Sequence, residues 1–296
     1  MLQWVVFALL GYFFFAVGNI VEKIIRVGHI KNSMAFAILL GFYEIVFILL
    51  IPFYGLNFVA WPFAIAATFA GVLRIFAFLP YAEALSKEEV SRLVPVWNLI
   101  PIFTVLMAFL FLGENLAANF IISFVLIFAG SVLLTMRSKK NLFRPNKAFL
   151  LMLISSFVYA AQAIVLKFAY AELNFVHGLI WMSIGTLVTT MFLLSRKNFR
   201  IIAKEEILEN ASKRMIIIFM VFSILGLYFT TLAISIGSVS IVEVMGGFQM
   251  VFVFIIASVF AFRLPSMVRE KLTLKSISIK IFCIILMLFG LFFLYY

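Results

Sequence analysis

Glu44 and Arg74 are ionisable residues set inside two otherwise apolar stretches, residues 33–53 and 61–80. If both stretches are helices, the short connection 54–60 makes them antiparallel neighbours, and a rise of about 1.5 Å per residue puts both side chains roughly 13 to 18 Å deep. An unpaired charge at that depth costs at least about 2.5–3.5 kcal/mol, and pairing removes much of the cost. Two chemistries fit the pair. One is a structural ion pair; in the other, Arg74 anchors a carboxylate or phosphate of a substrate and Glu44 is a proton-coupling carboxylate.

Uncharged residues form a second constellation. Pro95, Trp97, Asn98 and Pro101 interrupt the apolar run 93–112, and Gly246, Gly247 and Gln249 interrupt the run 241–262 at matching places. Proline frees backbone carbonyls and glycine loosens a helix. Corresponding interruptions in two halves of a chain point to a transport site. Gly246 and Gly247 fit tight helix packing as well, whereas Trp97 and Asn98 are harder to explain by packing alone. Asn19 and Gln162 place hydrogen-bonding groups in the runs 3–22 and 148–168, as substrate contacts or as interhelical bonds worth about 0.6 kcal/mol each. Glu243 begins the run 241–262, where a carboxylate favours the positive helix end; it is expected to be a cap or a gate at the outer mouth. Glu22, Lys23, Glu83, Lys167, Glu172 and His177 lie near the ends of runs, where long side chains snorkel to the interface.

Hydrolytic chemistry finds few groups here. The 12 acidic residues are all glutamate, and the 2 histidines, His29 and His177, fall to opposite sides of a membrane. No HExxH, GxSxG or GxxxxGK[ST] pattern occurs, so proteolysis, metal hydrolysis and a built-in ATPase lack their required residues, and neither a metal nor a cofactor is expected. Cys283 is the single cysteine, which excludes an intrachain disulfide.

The elements that position these residues follow from composition. With 66% hydrophobic and 12% charged residues, the chain carries about half the charge of a soluble domain, for which roughly 25% is usual. A helical span needs about 20 apolar residues. Ten such runs fit, near 3–22, 33–53, 61–80, 93–112, 116–136, 148–168, 176–195, 214–235, 241–262 and 276–295, which predicts an all-α membrane protein.

Basic residues sort into alternate gaps between these runs. They are Lys23, Arg26 and Lys31; Lys87 and Arg92; Arg137, Lys139, Lys140, Arg144 and Lys147; Arg196, Lys197, Arg200, Lys204, Lys213 and Arg214; and Arg263, Arg269, Lys271, Lys275 and Lys280. Only Arg74 and Lys167 break the alternation. Cytoplasmic loops retain Lys and Arg during insertion, so the basic gaps face the cytoplasm and both termini lie outside a cytoplasmic (inner) membrane. The net charge of +11 then meets anionic lipid headgroups. No basic stripe with interleaved aromatics suits a nucleic acid. Residues 196–214 form the one polar segment long enough for a short surface helix on the lipid.

The chain also repeats. Laying Ala84-Leu85 over Ala233-Ile234 brings Ser86 onto Ser235, Trp97 onto Gly246, Asn98 onto Gly247, Pro101 onto Met250 and Glu114 onto Arg263; laying Lys23 over Lys167 brings Phe15 onto Tyr159. Each copy holds five runs, in residues 1–140 and 141–296. An odd number of spans inverts the second copy in the membrane, the architecture of secondary transporters.

The sequence resembles the EamA-type branch of the drug/metabolite transporter superfamily. The resemblance rests on Lys23, on Tyr81-Ala82-Glu83-Ala84-Leu85, on Pro101, on Leu112-Gly113-Glu114 and on Gly130, with Lys167, Ala233-Ile234 and Gly290 in the second copy. It implies two inverted five-helix repeats making ten transmembrane helices around a central cavity, lined by spans 1, 3, 4, 6, 8 and 9. It also implies transport of small polar metabolites such as amino acids, sugars or drugs, some by export. The expected partners are a small-molecule substrate and membrane lipids, and the duplication within one chain suggests a monomer. A flippase for lipid-linked sugars or phospholipids is the competing expectation.

Overall fold

The computed structural model describes residues 3–28, 30, 32–56, 58, 60–87, 93, 96–114, 117–135, 146–210, 212–259 and 274–294. Among them all regular structure is helical. That is what lipid requires, because a helix satisfies every backbone donor within one segment. The main helices are α1 (Gln3–Gly28), α2 (Ser33–Tyr43), α3 (Trp61–Lys87), α4 (Ile100–Leu112), α5 (Ala118–Thr135), α6 (Lys147–Ala169), α7 (Phe175–Ser195), α8 (Lys213–Ile236), α9 (Val239–Met245), α10 (Gly247–Val259) and α11 (Leu274–Phe293). Among the described residues, seven helical stretches are long and apolar enough to cross a membrane: Gln3–Arg26, Ser33–Tyr54, Trp61–Lys87, Lys147–Ala169, Phe175–Ser195, Lys213–Ile236 and Val239–Val259. Ile100–Leu112, Ala118–Leu134 and Ser278–Phe293 are shorter apolar helices.

Local chemistry sets several helix starts. Side-chain oxygens of Asn32, Asn146 and Asn174 accept the N–H groups of Met34 (2.8 Å), Phe149 (2.8 Å) and His177 (2.9 Å), closing the open ends of α2, α6 and α7. Gly113 ends α4 in the left-handed region, at φ 63°, where a side chain would be strained. Sequence periodicity stops the third run at residue 80, yet α3 continues through Pro80 to Lys87. Neighbouring helices support such a proline: in the preceding turn the Ser155 hydroxyl donates to the Ala77 carbonyl at 2.6 Å. Residues 196–210 leave α7 as the short helix Lys197–Ala203 and a π-turn, Lys204–Asn210, where the surface helix was expected. Lys280 lies within α11 and not in a loop; it is buried, with its ammonium 4.0 Å over the ring of Phe254.

The most extensive packing pairs α3 with α6 and α1 with α8; α7 lies along α3, α11 along α5, and α4 against α6 and α9. Glycine permits the closest of these approaches. A Cβ at Gly71 would run into the Met182 carbonyl, and one at Gly185 into that of Thr68, so α3 and α7 touch backbone to backbone. The exterior is apolar, with Phe53, Phe58, Leu110 and Phe111 among the exposed side chains. Lipid is the solvent for such a surface.

Candidate functional site

Arg74 sits one turn beyond the Gly71 contact, on the stretch of α3 that α7 approaches most closely. It is 3% exposed, and Glu44 is 1% exposed. Arg74 Nε donates to Glu44 Oε1 at 2.5 Å, and Nη2 donates to the Tyr43 hydroxyl at 2.7 Å. The neighbouring spans thus deliver the partners that their antiparallel order predicts. Helix α2 breaks at this point: Tyr43 is its last residue, Glu44 is the cap, and a new turn, Ile45–Ile48, follows. Glu44 Oε2 has no hydrogen-bond partner among the described residues. The Thr186 hydroxyl lies beside Glu44, but its single proton goes to backbone, to Met182 O at 3.2 Å or Gly71 O at 3.3 Å.

Aromatic rings extend the pair into a larger constellation. The guanidinium carbon lies 5.4 Å from the centroid of Phe78, one turn along α3. Phe78 stacks on Trp97 at 6.5 Å, and Trp97 lies 4.7 Å from Tyr81 and 5.4 Å from Tyr159 of α6. Tyr159 also interacts with Arg74. Trp97 and Asn98 belong to the interruption before α4, where Asn98 and Leu99 form a turn; Pro95 lies outside the described residues.

The matching interruption, between α9 and α10, is a turn at Gly246. Gly246 abuts the ring of Tyr12 in α1, whereas Gly247 fits against Ser131 of α5 and Met287 of α11, so packing accounts for the second glycine. The Tyr12 hydroxyl donates to Val242 O at 3.0 Å. Asn19 lies two turns along α1 on the Tyr12 face, half-buried like Gln249. Gln162 is buried, with Nε2 3.9 Å from the Met182 sulfur.

Two expectations about polar residues change. Glu243 does not cap its helix. Ser238 does, its hydroxyl accepting the Ile241 N–H at 3.2 Å, while Glu243 stands on the fifth residue of α9 and is buried. Its electrostatic neighbours are Tyr12, Tyr159 and Arg74. Lys167 does not snorkel either. Its ammonium donates to Gly237 O at 2.7 Å and Ile234 O at 2.9 Å, closing the carbonyl end of α8. That position explains why a cation stands in a gap otherwise free of them.

Of the candidates, the structure brings Glu44, Arg74 and Trp97 together, along with Tyr43, Phe78 and Tyr159, which the sequence did not single out; Gln162 meets Met182 and Gly246 meets Tyr12. Phe78 carried a readable signal, four residues beyond Arg74 on the same helical face; Tyr12 and Tyr159 carried none. Elsewhere, an apolar groove of about 510 Å³ on the outside of α3, lined by Phe58, Trp61, Phe69 and Trp181, holds no ionisable residue.

A multi-pass helical protein with a buried polar centre agrees with a comparison of families, in which residues 2–136 match the EamA-like transporter family. Those residues, a little under half of the chain, are similar to the EamA-like transporter family. That similarity points to a membrane transporter of small solutes. A solved crystal structure covers 97% of this EamA-like chain and 95% of its own length with a TM-score of 0.69; at 14% identity the likeness concerns the fold alone. No curated relative matches this EamA-like sequence.

Proposed function

We propose that the chain is a secondary transporter of small polar metabolites, amino-acid-like solutes or drugs, working by alternating access in the cytoplasmic membrane with both termini outside. Ten spans form two inverted five-helix repeats, 1–140 and 141–296, around a central cavity, and one chain contains the whole pathway as a monomer. The observation that carries this function is the cluster of Arg74, Glu44, Trp97 and Tyr159 inside an EamA-like bundle. Asn19, Asn98, Gln162, Gly246 and Gln249 complete the proposed lining, while Gly247 packs α10 against α5 and α11.

Paired contacts support the inverted repeat. Gly130 faces Met287 and the Cys283 carbonyl, while Gly290 faces Ile127 and the Ser123 carbonyl, as a two-fold axis between α5 and α11 produces. The register that lays Lys23 over Lys167 also lays Tyr12 over Ser156. Tyr12 donates to Val242 O beside one interruption, and Ser156 to Val96 O (3.1 Å) beside the other. The leading pairs, α1 with α8 and α3 with α6, exchange under the same operation. Arg263, the counterpart of Glu114, lies outside the described residues.

The test is uptake and efflux of a metabolite panel in proteoliposomes, with and without a pH gradient. Wild type is expected to carry at least one solute, and Trp97→Ala to lower that flux roughly tenfold, equivalent to about 1.4 kcal/mol. Absence of any solute flux by folded wild type would overturn the assignment, and translocation of a lipid-linked sugar in its place would favour a flippase.

A further inference from the structure

Residues 196–210 sort their charge along the chain. Arg196, Lys197, Arg200 and Lys204 come first with no acid among them, and Glu205, Glu206 and Glu209 follow. All four cations are exposed. A face turned only to water intersperses the two signs, whereas a run of one sign suits a partner of the other. Two large apolar side chains, Ile201 and Leu208, also stand outward here, 50% and 63% exposed. The segment leaves α7 at Ser195, the end of an apolar spanning helix, so these side chains meet the headgroup layer. Cationic heads around apolar anchors fit an anionic leaflet.

The opposite face of the segment is committed to the protein. Phe199, Ala203 and Ile207 pack in one apolar cluster with Met34 and Ile38 of α2 and Ile75 of α3. Glu206 adds a polar contact, its Oε2 accepting the Asn32 N–H at 2.9 Å. Asn32 is the N-cap of α2, and its own side chain accepts the Met34 N–H. A capping box takes both of its halves from one helix start; here the carboxylate comes from 174 residues away, and its charge favours the positive end of α2. From that start α2 runs about 16 Å to Tyr43, which together with Glu44 holds Arg74. The surface segment and the buried ion pair thus grip the two ends of one 11-residue helix.

We propose that residues 196–208 are a clamp closed by anionic phospholipid. Lipid phosphates bind the cations, Arg196, Lys197 and Arg200 foremost, while Ile201 and Leu208 enter the acyl boundary, and the docked segment keeps Glu206 on the start of α2. Lipid charge thereby controls how firmly α2 is held, and with it the ion pair at its far end. The docking stands on this surface alone; control of transport rests on the transporter assignment above.

The test uses the full chain, with the buried Cys283 replaced by alanine, in phosphatidylcholine vesicles with and without about 30% phosphatidylglycerol. A fluorophore on Leu208→Cys is quenched by brominated forms of either lipid, so quenching at equal mole fraction gives their relative affinities. Phosphatidylglycerol is expected to bind about tenfold better, Arg200→Gln to lower that preference about fivefold, and salt to weaken it. For the clamp, maleimide labelling of Ser33→Cys, at the first residue of α2, is expected to slow about threefold when phosphatidylglycerol is present. Glu206→Ala keeps the lipid preference and loses this protection, while Glu206→Gln, which still offers an oxygen to Asn32, retains part of it. Equal quenching by the two lipids, or a preference that Arg200→Gln and Lys197→Gln leave unchanged, would overturn the docking surface. Protection that survives Glu206→Ala, or none in the chain with Glu206 intact, would overturn the clamp. Neither readout needs transport. Absence of all solute flux therefore removes the transporter assignment while quenching and labelling still decide the clamp, and flux that ignores phosphatidylglycerol leaves the transporter and removes the control.

Discussion

Replacing Arg74 by methionine keeps most of the side-chain volume and removes one charge, which leaves Glu44, 1% exposed, with nothing opposite it. Breaking a buried pair in this way costs about 3–5 kcal/mol, because the remaining charge is uncompensated. Loss of the 2.7 Å bond to Tyr43 adds about 0.5–1.5 kcal/mol. Glu44→Gln strands the guanidinium, which still has Tyr43 and the Phe78 ring, so its cost falls below that of Arg74→Met. The double variant Glu44→Gln, Arg74→Met removes both charges and is expected to recover more than half of the loss caused by Arg74→Met. Unfolding midpoints of the four proteins in detergent, converted to a double-mutant cycle, measure the coupling. Additive losses, with a coupling below about 0.5 kcal/mol, would refute the reasoning.

Other perturbations have equally definite outcomes. Gly185→Leu places a side chain where the Thr68 carbonyl lies, so α3 and α7 must separate; overpacking of this kind costs about 1–3 kcal/mol, read as a lowered unfolding midpoint and greater labelling of a cysteine introduced at Ser183. Lys167→Met removes the donor to Ile234 O and Gly237 O and is expected to destabilise the chain by about 1.5–3 kcal/mol, with Lys167→Arg restoring most of it. Ser155→Ala deletes the 2.6 Å bond to Ala77 O beside Pro80, at about 0.5–1.5 kcal/mol, read from the same unfolding midpoints.

Glu44 and Arg74 hold α2 and α3 together below the helix break at residue 44. Glu243 lies beside the break at Gly246, on an element whose backbone is already interrupted and therefore easier to displace.

What the sequence by itself determined is whatever depends on hydration and on short chain distances. Apolar runs, charge alternation and the two matched interruptions follow from the cost of exposing polar groups to lipid, and the Glu44–Arg74 partnership follows from two antiparallel spans joined by a short turn. The EamA resemblance was legible because its residues recur in order along the chain. Only the tertiary structure decided that Tyr159 meets Trp97, that Glu243 is buried, that Ser238 is the cap, and that Lys167 closes α8. Helices such as α3 and α4 are apolar all round, so no hydrophobic stripe marks the face turned inward. Their rotation about their own axes is set by contacts such as Gly71 against Met182 and Gly185 against Thr68, between residues more than a hundred positions apart.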